Sequence, residues 1–485
     1  MRGNSKYQIR DVKRWVGAFV KKFPDKIIPN YAFDPQVYLR RHFAEEGCNY
    51  AFLVDEAHNL VDRAREMFSA NLDAQEIRNA RRAIKTGVPR CARALSKLLS
   101  EMRKLENPTG SAYDEPDPSD SATELNLFPA KMQVPIETGE GARVFHELPE
   151  GLIKSVETAL AEAEAWLVQN KPAEFQEDLL SLFFRLFSFL RTADIYDERY
   201  LTIVEPTPAS MARLFCLDPS HLIRLALKRC KGAVFFSATL TPADYYRTLL
   251  GGTPEDPVLQ LASPFPTENL AVLIHDRIQT HFKGRAESIG DVAEAIGTLV
   301  QGRRGNYLVY FPSFQYLNDV LQEFQRRYAS IPVLVQKPGM SESERDAFLS
   351  AFAVEHGDTL VGFAVMGGVF GEGIDLVGER LIGAVIVGVG LPQLCVERDL
   401  IRDYFQQQNS LGFEYAYTFP GMNRVLQAVG RVIRSETDRG VVLLIDARFG
   451  ETRYRRLFPP WWKYFRVRQS TGIRSALESF WNPQI

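Results

Sequence analysis

Short, near-continuous apolar runs recur in two stretches of the chain, 26–58 and 231–448. They fall at residues 50–54, 233–236, 307–311, 359–365, 381–389 and 441–445, and each ends in small or charged residues. Runs of this length without polar alternation are the pattern of strands buried on both faces of a parallel sheet, and the amphipathic segments between them are of helix length. The pattern predicts an α/β fold. From about residue 62 to 225 the period shifts to that of a helix, as in 156–168 and 175–190, which predicts a mainly helical insertion. Within it, residues 106–124 (ENPTGSAYDEPDPSDSATE) are acidic and proline-bearing, with too little apolar surface to offset the entropy of ordering, and predict a flexible loop.

The 485 residues are 45% hydrophobic and 24% charged, enough for two to four domains with substantial cores. A formal charge of -2 excludes a globally basic nucleic-acid coat and confines any polyanion site to a local patch. One such patch is residues 78–104, where nine Lys or Arg stand against Glu101 alone. It reads equally as a phosphate-tracking surface or as a solvated helix face neutralised by the acidic loop that follows. Five cysteines with no C-x-x-C pair argue against a disulfide framework, and no apolar stretch reaches the roughly 20 residues of a membrane span. The expectation is a cytoplasmic protein without a membrane partner.

The sharpest chemistry lies at Tyr50-Ala51-Phe52-Leu53-Val54-Asp55-Glu56-Ala57-His58, an apolar strand ending in two carboxylates, a small residue and a histidine. A parallel strand delivers its carboxyl end to the ligand crevice. There Asp55 suits the hydration shell of a nucleotide-bound Mg²⁺, Glu56 suits an attacking water, and His58 is expected to face the far side of the cleft. A helix amino terminus favouring acidic residues is the plain alternative.

A second group, Gln427-Ala428-Val429-Gly430-Arg431-Val432-Ile433-Arg434, predicts a helix on which Arg431 and Arg434 share a face one turn beyond Gln427. Paired guanidinium forks suit a γ-phosphate; a salt-bridged surface helix is the other reading. A third group, Gly367-Gly368-Val369-Phe370-Gly371-Glu372-Gly373-Ile374-Asp375, predicts either a glycine loop approaching phosphates or a tight strand-to-helix connection. Ser237 and Thr239, in Phe236-Ser237-Ala238-Thr239-Leu240, and Ser313 and Phe314, after Tyr310-Phe311-Pro312, sit at strand ends. Capping turns and a core Phe compete there with DNA contact.

In chain order, Val54-Asp55-Glu56-Ala57-His58, the insertion, Ser237 to Leu240, Tyr310 to Ser313, Gly371 to Asp375 and Gln427 to Arg434 resemble motifs II to VI of superfamily 2 helicases, most closely those of the XPD/DinG family. The resemblance implies two RecA-like parallel-sheet domains that clasp ATP, with a mainly helical Arch-like insertion. The division expected is 1–64 with 225–255 for an incomplete first domain, 65–224 for the insertion and 256–485 for the second domain.

It also implies 5′ to 3′ unwinding of DNA bearing a single-stranded overhang, in repair or replication. By matching position, Asp55 and Glu56 would serve Mg²⁺ through water, while Gln427, Arg431 and Arg434 close over the γ-phosphate. Gly371, Glu372, Gly373, Asp375 and Gly430 would line the nucleotide, and Ser237, Thr239, Ser313 and Phe314 would couple it to DNA.

Two features depart from that family. The sequence contains no Gly-Lys dipeptide, so the lysine of a G-x-x-x-x-G-K-[ST] phosphate loop is missing, and Cys48 alone precedes the D-E-A-H motif where the family sets four cysteines for a 4Fe-4S cluster. The expectations are a truncated or split reading frame, a separate polypeptide supplying the phosphate-loop region, and little ATP hydrolysis by this polypeptide alone. The competing expectation is a non-catalytic DNA-binding or scaffold protein of helicase descent. A two-metal nuclease lacks the carboxylate cluster it would need.

Overall fold

In the computed structural model, the residues described are 48–106, 136–137, 141–169, 172–206, 210–352, 358–372 and 376–482. The chain divides into two compact units. One takes the described part of Met1–Ser237 with Tyr246–Asp256 and Asp399–Tyr404; the other takes Ala238–Tyr245, Pro257–Arg398 and Phe405–Ile485.

The second unit is built on seven parallel strands, in the order Val333–Val335, Leu360–Val365, Asn306–Phe311, Gly383–Val387, Gly440–Ile445, Leu270–His275 and Tyr464–Val467. Every residue of Asn306–Phe311, Gly383–Val387 and Gly440–Ile445 is buried, which is why these segments read as unbroken apolar runs. Alternate residues feed two cores. Tyr307, Val309, Phe311, Val385 and Leu443 pack on one face with helices Arg285–Gln301 and Phe314–Arg327, whereas Leu308, Tyr310, Ile386 and Leu444 pack on the other with helix Phe419–Val429. Leu270–His275, Val333–Val335 and Tyr464–Val467 were not among the expected strands; the last two, of three and four residues, are too short to show a period.

In the first unit, Cys48–Val54 pairs in parallel with Cys230–Phe235, and Leu53 lies opposite Val234. The insertion departs from the sequence reading in one respect. Besides helices Ala74–Ile84, Pro89–Glu106, Glu150–Leu167 and Gln176–Ala193, it holds an antiparallel sheet in the order Ala70–Asp73, Met211–Cys216, Tyr200–Glu205, Arg143–Phe145 and Ile136–Glu137. The inward side chains Leu72, Val204, Ala212 and Leu214 join Leu95, Leu98, Leu152 and Leu186 of the helices in one core. Among the described residues, no helix is long and apolar enough to cross a membrane. The expected flexible loop at 106–124 lies outside the described residues apart from Glu106, which closes helix Pro89–Glu106.

Candidate functional site

The strand Cys48–Val54 ends by delivering Asp55 and Glu56 to its exposed carboxyl end. Asp55 Oδ1 accepts the Glu56 N–H at 2.8 Å. This tie accompanies a left-handed backbone at Glu56 (φ 48°, ψ 42°), a conformation costing about 1 to 3 kcal/mol for a residue with a Cβ. The surroundings hold it there: the Ala57 N–H donates to Phe236 O at 3.2 Å and the Phe236 N–H to Val54 O at 3.0 Å, extending the parallel pairing past both strand ends. Ala57 is fully buried, so the small residue between the carboxylates and the histidine has no room to grow.

This closure brings Glu56, His58 and Ser237 together. Ser237 Oγ donates to Glu56 Oε2 at 3.1 Å, and His58 Nδ1 lies 2.8 Å from Ser237 Oγ and 3.3 Å from Glu56 Oε2. With the serine's one proton directed at Glu56, the His58 tautomer that carries its hydrogen on Nδ1 completes the set by donating to Oγ. His58 therefore turns back onto its own strand end, where it meets Glu56 and Ser237. The cause is the 3-10 turn Ala57–Asn59, which folds the chain back over Phe236.

Thr239, two residues past Ser237, is buried and belongs to the second unit. No three His, Cys, Asp or Glu side chains converge on a metal position among the described residues. Asp55, an exposed carboxylate at the carboxyl end of a parallel strand, fits a water-mediated hold on Mg²⁺. Cys91, Cys216, Cys230 and Cys395 sit on separate elements, so the described cysteines do not fit a 4Fe-4S cluster.

In the second unit, helix Phe419–Val429 carries Gln427 and stops with Gly430 as its cap. Arg431 and Arg434 lie beyond its end, which corrects the expectation that they share a helical face. Two β-branched residues, Val432 and Ile433, turn inward, and Asp438 captures the amides of Arg434 and Ser435 at 2.7 and 2.9 Å in a competing turn. Arg431 Nε donates to Gly371 O at 3.2 Å. Arg431 and Arg434 both act on the buried Tyr310, whose phenol is pushed above its ordinary pKa chiefly by burial and is partly held back by the two cations. Tyr310 in turn donates to Phe370 O at 2.9 Å. The arginine segment and the glycine segment thus meet within one unit.

Gly371 lies in the short helix Val369–Glu372, its N–H bonded to Gly368 O at 2.8 Å, so in its described part the segment makes the tight strand-to-helix connection, one of its two expected forms. The left-handed residue is Gly367 (φ 74°), where an added Cβ would stand 3.1 Å from Arg424 Nε. Glu372 ends this helix; Gly373 and Asp375 lie outside the described residues.

Ser313 caps helix Phe314–Arg327 by accepting the Tyr316 N–H at 3.3 Å, and Phe314, half-buried, opens that helix. Sequence reasoning missed Arg285, whose Nη1 reaches Ser313 Oγ at 3.5 Å. It also missed the buried Asp446, which follows strand Gly440–Ile445 and accepts from Arg448 Nε and Nη2, each at 2.8 Å, and from Thr280. An apolar strand ending in Asp, as at Val54-Asp55, was the available signal for Asp446.

A seven-stranded parallel sheet, and a D-E-A-H strand end that meets Ser237 at the end of its paired strand, are features of a RecA-like α/β fold. Comparison with known proteins agrees. The family model described as "Helicase C-terminal domain" matches residues 296–465. The chain is 22% identical to the Saccharomyces cerevisiae "General transcription and DNA repair factor IIH helicase subunit XPD/RAD3", covering 89% of this chain and 62% of the relative. It is also 22% identical to "ATP-dependent DNA helicase CHL1" of Debaryomyces hansenii, over 85% of this chain and 54% of that protein. The solved structure of S. tokodaii Xpd4 shares the fold with a TM-score of 0.55 at 15% identity, covering 95% of this chain and 89% of that one. The chain is thus similar to XPD-type superfamily 2 helicases in sequence and shares their fold. It spans 62% and 44% of the length of the first two curated relatives it matches.

Proposed function

We propose that this chain forms the Mg²⁺, water and arginine parts of an ATP-driven DNA helicase that translocates 5′ to 3′ along single-stranded DNA in repair or replication. The observation that carries the reading is the hydrogen-bonded set Glu56, Ser237 and His58, which ties the carboxylate that orients water to the strand end that follows the insertion. In this reading Asp55 holds Mg²⁺ through water, and the ion neutralises charge on the nucleotide phosphates. Glu56 orients the attacking water, and Arg431 and Arg434 with Gln427 attend the γ-phosphate of the same nucleotide. Gly371, Glu372, Gly373, Asp375 and Gly430 support the nucleotide, and Ser237, Thr239, Ser313 and Phe314 relay its state to DNA.

The sequence holds no Gly-Lys dipeptide, so ATP turnover requires a lysine-bearing phosphate loop from outside these 485 residues. A second reading rests on that same observation: a helicase-derived, non-catalytic DNA-binding protein. Hydrolysis and separation of a duplex with a 5′ overhang distinguish the two. The 485 residues alone turn over little ATP. Supplied with a phosphate-loop segment, fused or in trans, they hydrolyse ATP in a DNA-stimulated manner that Glu56→Gln abolishes. DNA binding that ignores ATP, with no hydrolysis in the supplemented protein, selects the second reading. Turnover by the 485 residues alone that Glu56→Gln abolishes refutes the requirement for an added loop.

A further inference from the structure

The helical pair Ala74–Ile84 and Pro89–Glu106 carries a charge arrangement that nucleotide chemistry does not use. Helix Pro89–Glu106 buries Cys91, Leu95, Leu98, Leu99 and Met102. At 3.6 residues per turn, Arg90, Arg93, Lys97 and Lys104 fall within about 60° of one another on the side away from that buried face. On helix Ala74–Ile84, Arg78 and Arg82, with Lys85 at its end, gather within about 60° in the same way, clear of the buried Ile77, Ala80 and Ile84. Arg81 Nη1 donates to Ser96 Oγ at 3.2 Å and ties the two helices together.

Lys104 pairs with Glu101 at 2.7 Å. Arg82, Lys85, Arg90, Arg93, Lys97 and Arg103 are exposed and make no ion pair among the described residues. An ordinary solvated helix face intersperses both signs at i,i+4. Here like charges stand at that spacing, Arg78 with Arg82, Arg81 with Lys85 and Arg93 with Lys97, an arrangement that disfavours the helices until an anion covers it. Between residues 74 and 106 there is no exposed large apolar side chain, so the face lacks the aromatic and aliphatic anchors on which a protein partner depends. A polymer of phosphates needs no such anchors.

We propose that this face of the insertion binds the phosphate backbone of a nucleic acid without reading its sequence. The proposal rests on the helicase reading only for the identity of the polymer. Its test is fluorescence anisotropy of the full chain, without nucleotide, on labelled single-stranded and duplex oligonucleotides over a salt series. Wild type is compared with Arg90→Ala/Arg93→Ala/Lys97→Ala, whose substitutions are exposed and favour helix. Loss of three contacts lowers the slope of log affinity against log salt by about 2 for single strands, with more than tenfold weaker binding at low salt. The charge-retaining double variant Arg90→Lys/Arg93→Lys binds as wild type, and thermal melting is unchanged in both variants. The oligonucleotide whose slope falls further identifies the form bound.

Wild-type slope and affinity of the alanine variant on both oligonucleotides overturn the proposal. Loss of binding to poly-L-glutamate with DNA binding intact overturns it too, and assigns the face to an acidic protein segment. Failure of DNA-stimulated ATP turnover in the protein supplied with a phosphate-loop segment, with the slope change present, sinks the helicase reading alone.

Discussion

Ser237 has a single proton to share among its polar neighbours, Glu56 and His58 among them, and that scarcity makes it informative. Its Oγ donates to Glu56 at 3.1 Å and stands 2.8 Å from His58 Nδ1, so any movement of the strand end that bears it changes the position of the carboxylate. Removing the hydroxyl leaves Glu56, 64% exposed, in contact with water, which makes the cost to folding small. Ser237→Ala is expected to keep ATP turnover of the supplemented protein within about tenfold, less than the roughly 10²-fold or more that a general acid or base supplies, while base pairs separated per ATP fall. Ser237→Thr, which keeps a hydroxyl, restores the ratio. An unchanged ratio in the alanine variant removes Ser237 from the coupling path. The carboxylates were legible in the sequence because an apolar strand announces its own end. The direction of His58 was not, since it depends on a left-handed Glu56 and on a strand 179 residues away.

Strands buried on both faces left unbroken apolar runs and were legible, whereas elements governed by local competition were not. The helix expected to run through Arg434 stops at Val429, because the side chain of Asp438 gives the Arg434 and Ser435 amides another acceptor and β-branched Val432 and Ile433 resist the helical turn. The strands Tyr200–Glu205 and Met211–Cys216 of the insertion were hidden by the strong helical periodicity around them. Ser313 is where local structure and function compete directly, for its Oγ caps helix Phe314–Arg327 and also receives Arg285. Ser313→Ala is expected to cost about 1 kcal/mol in thermal or urea unfolding through loss of the cap. Ser313→Asn, another good cap, recovers stability. If the hydroxyl also meets DNA, the Asn variant regains stability without regaining affinity in an anisotropy titration; recovery of both assigns Ser313 to capping alone.

At the scale of the whole molecule, the candidate chemistry is split between units, with Asp55, Glu56, His58 and Ser237 in one and Gly371, Arg431 and Arg434 in the other. The order of these motifs made the resemblance to helicases legible at 22% identity, since each is short and commonplace alone while their succession is not. Whether the two sets serve one reaction is a thermodynamic question that a double-mutant cycle answers. Groups acting together on one transition state are strongly non-additive: once one is lost, removing the other costs little more. Glu56→Gln and Arg431→Ala are each expected to lower DNA-stimulated ATP turnover of the supplemented protein by about 10³-fold or more, the scale of an arginine finger. If both act on one γ-phosphate, the double variant falls no further than within about tenfold of the worse single variant. Losses that multiply, measured by single-turnover hydrolysis at saturating nucleotide, would mean that the carboxylate and the arginine work independently, and the shared-nucleotide reading would fail with them.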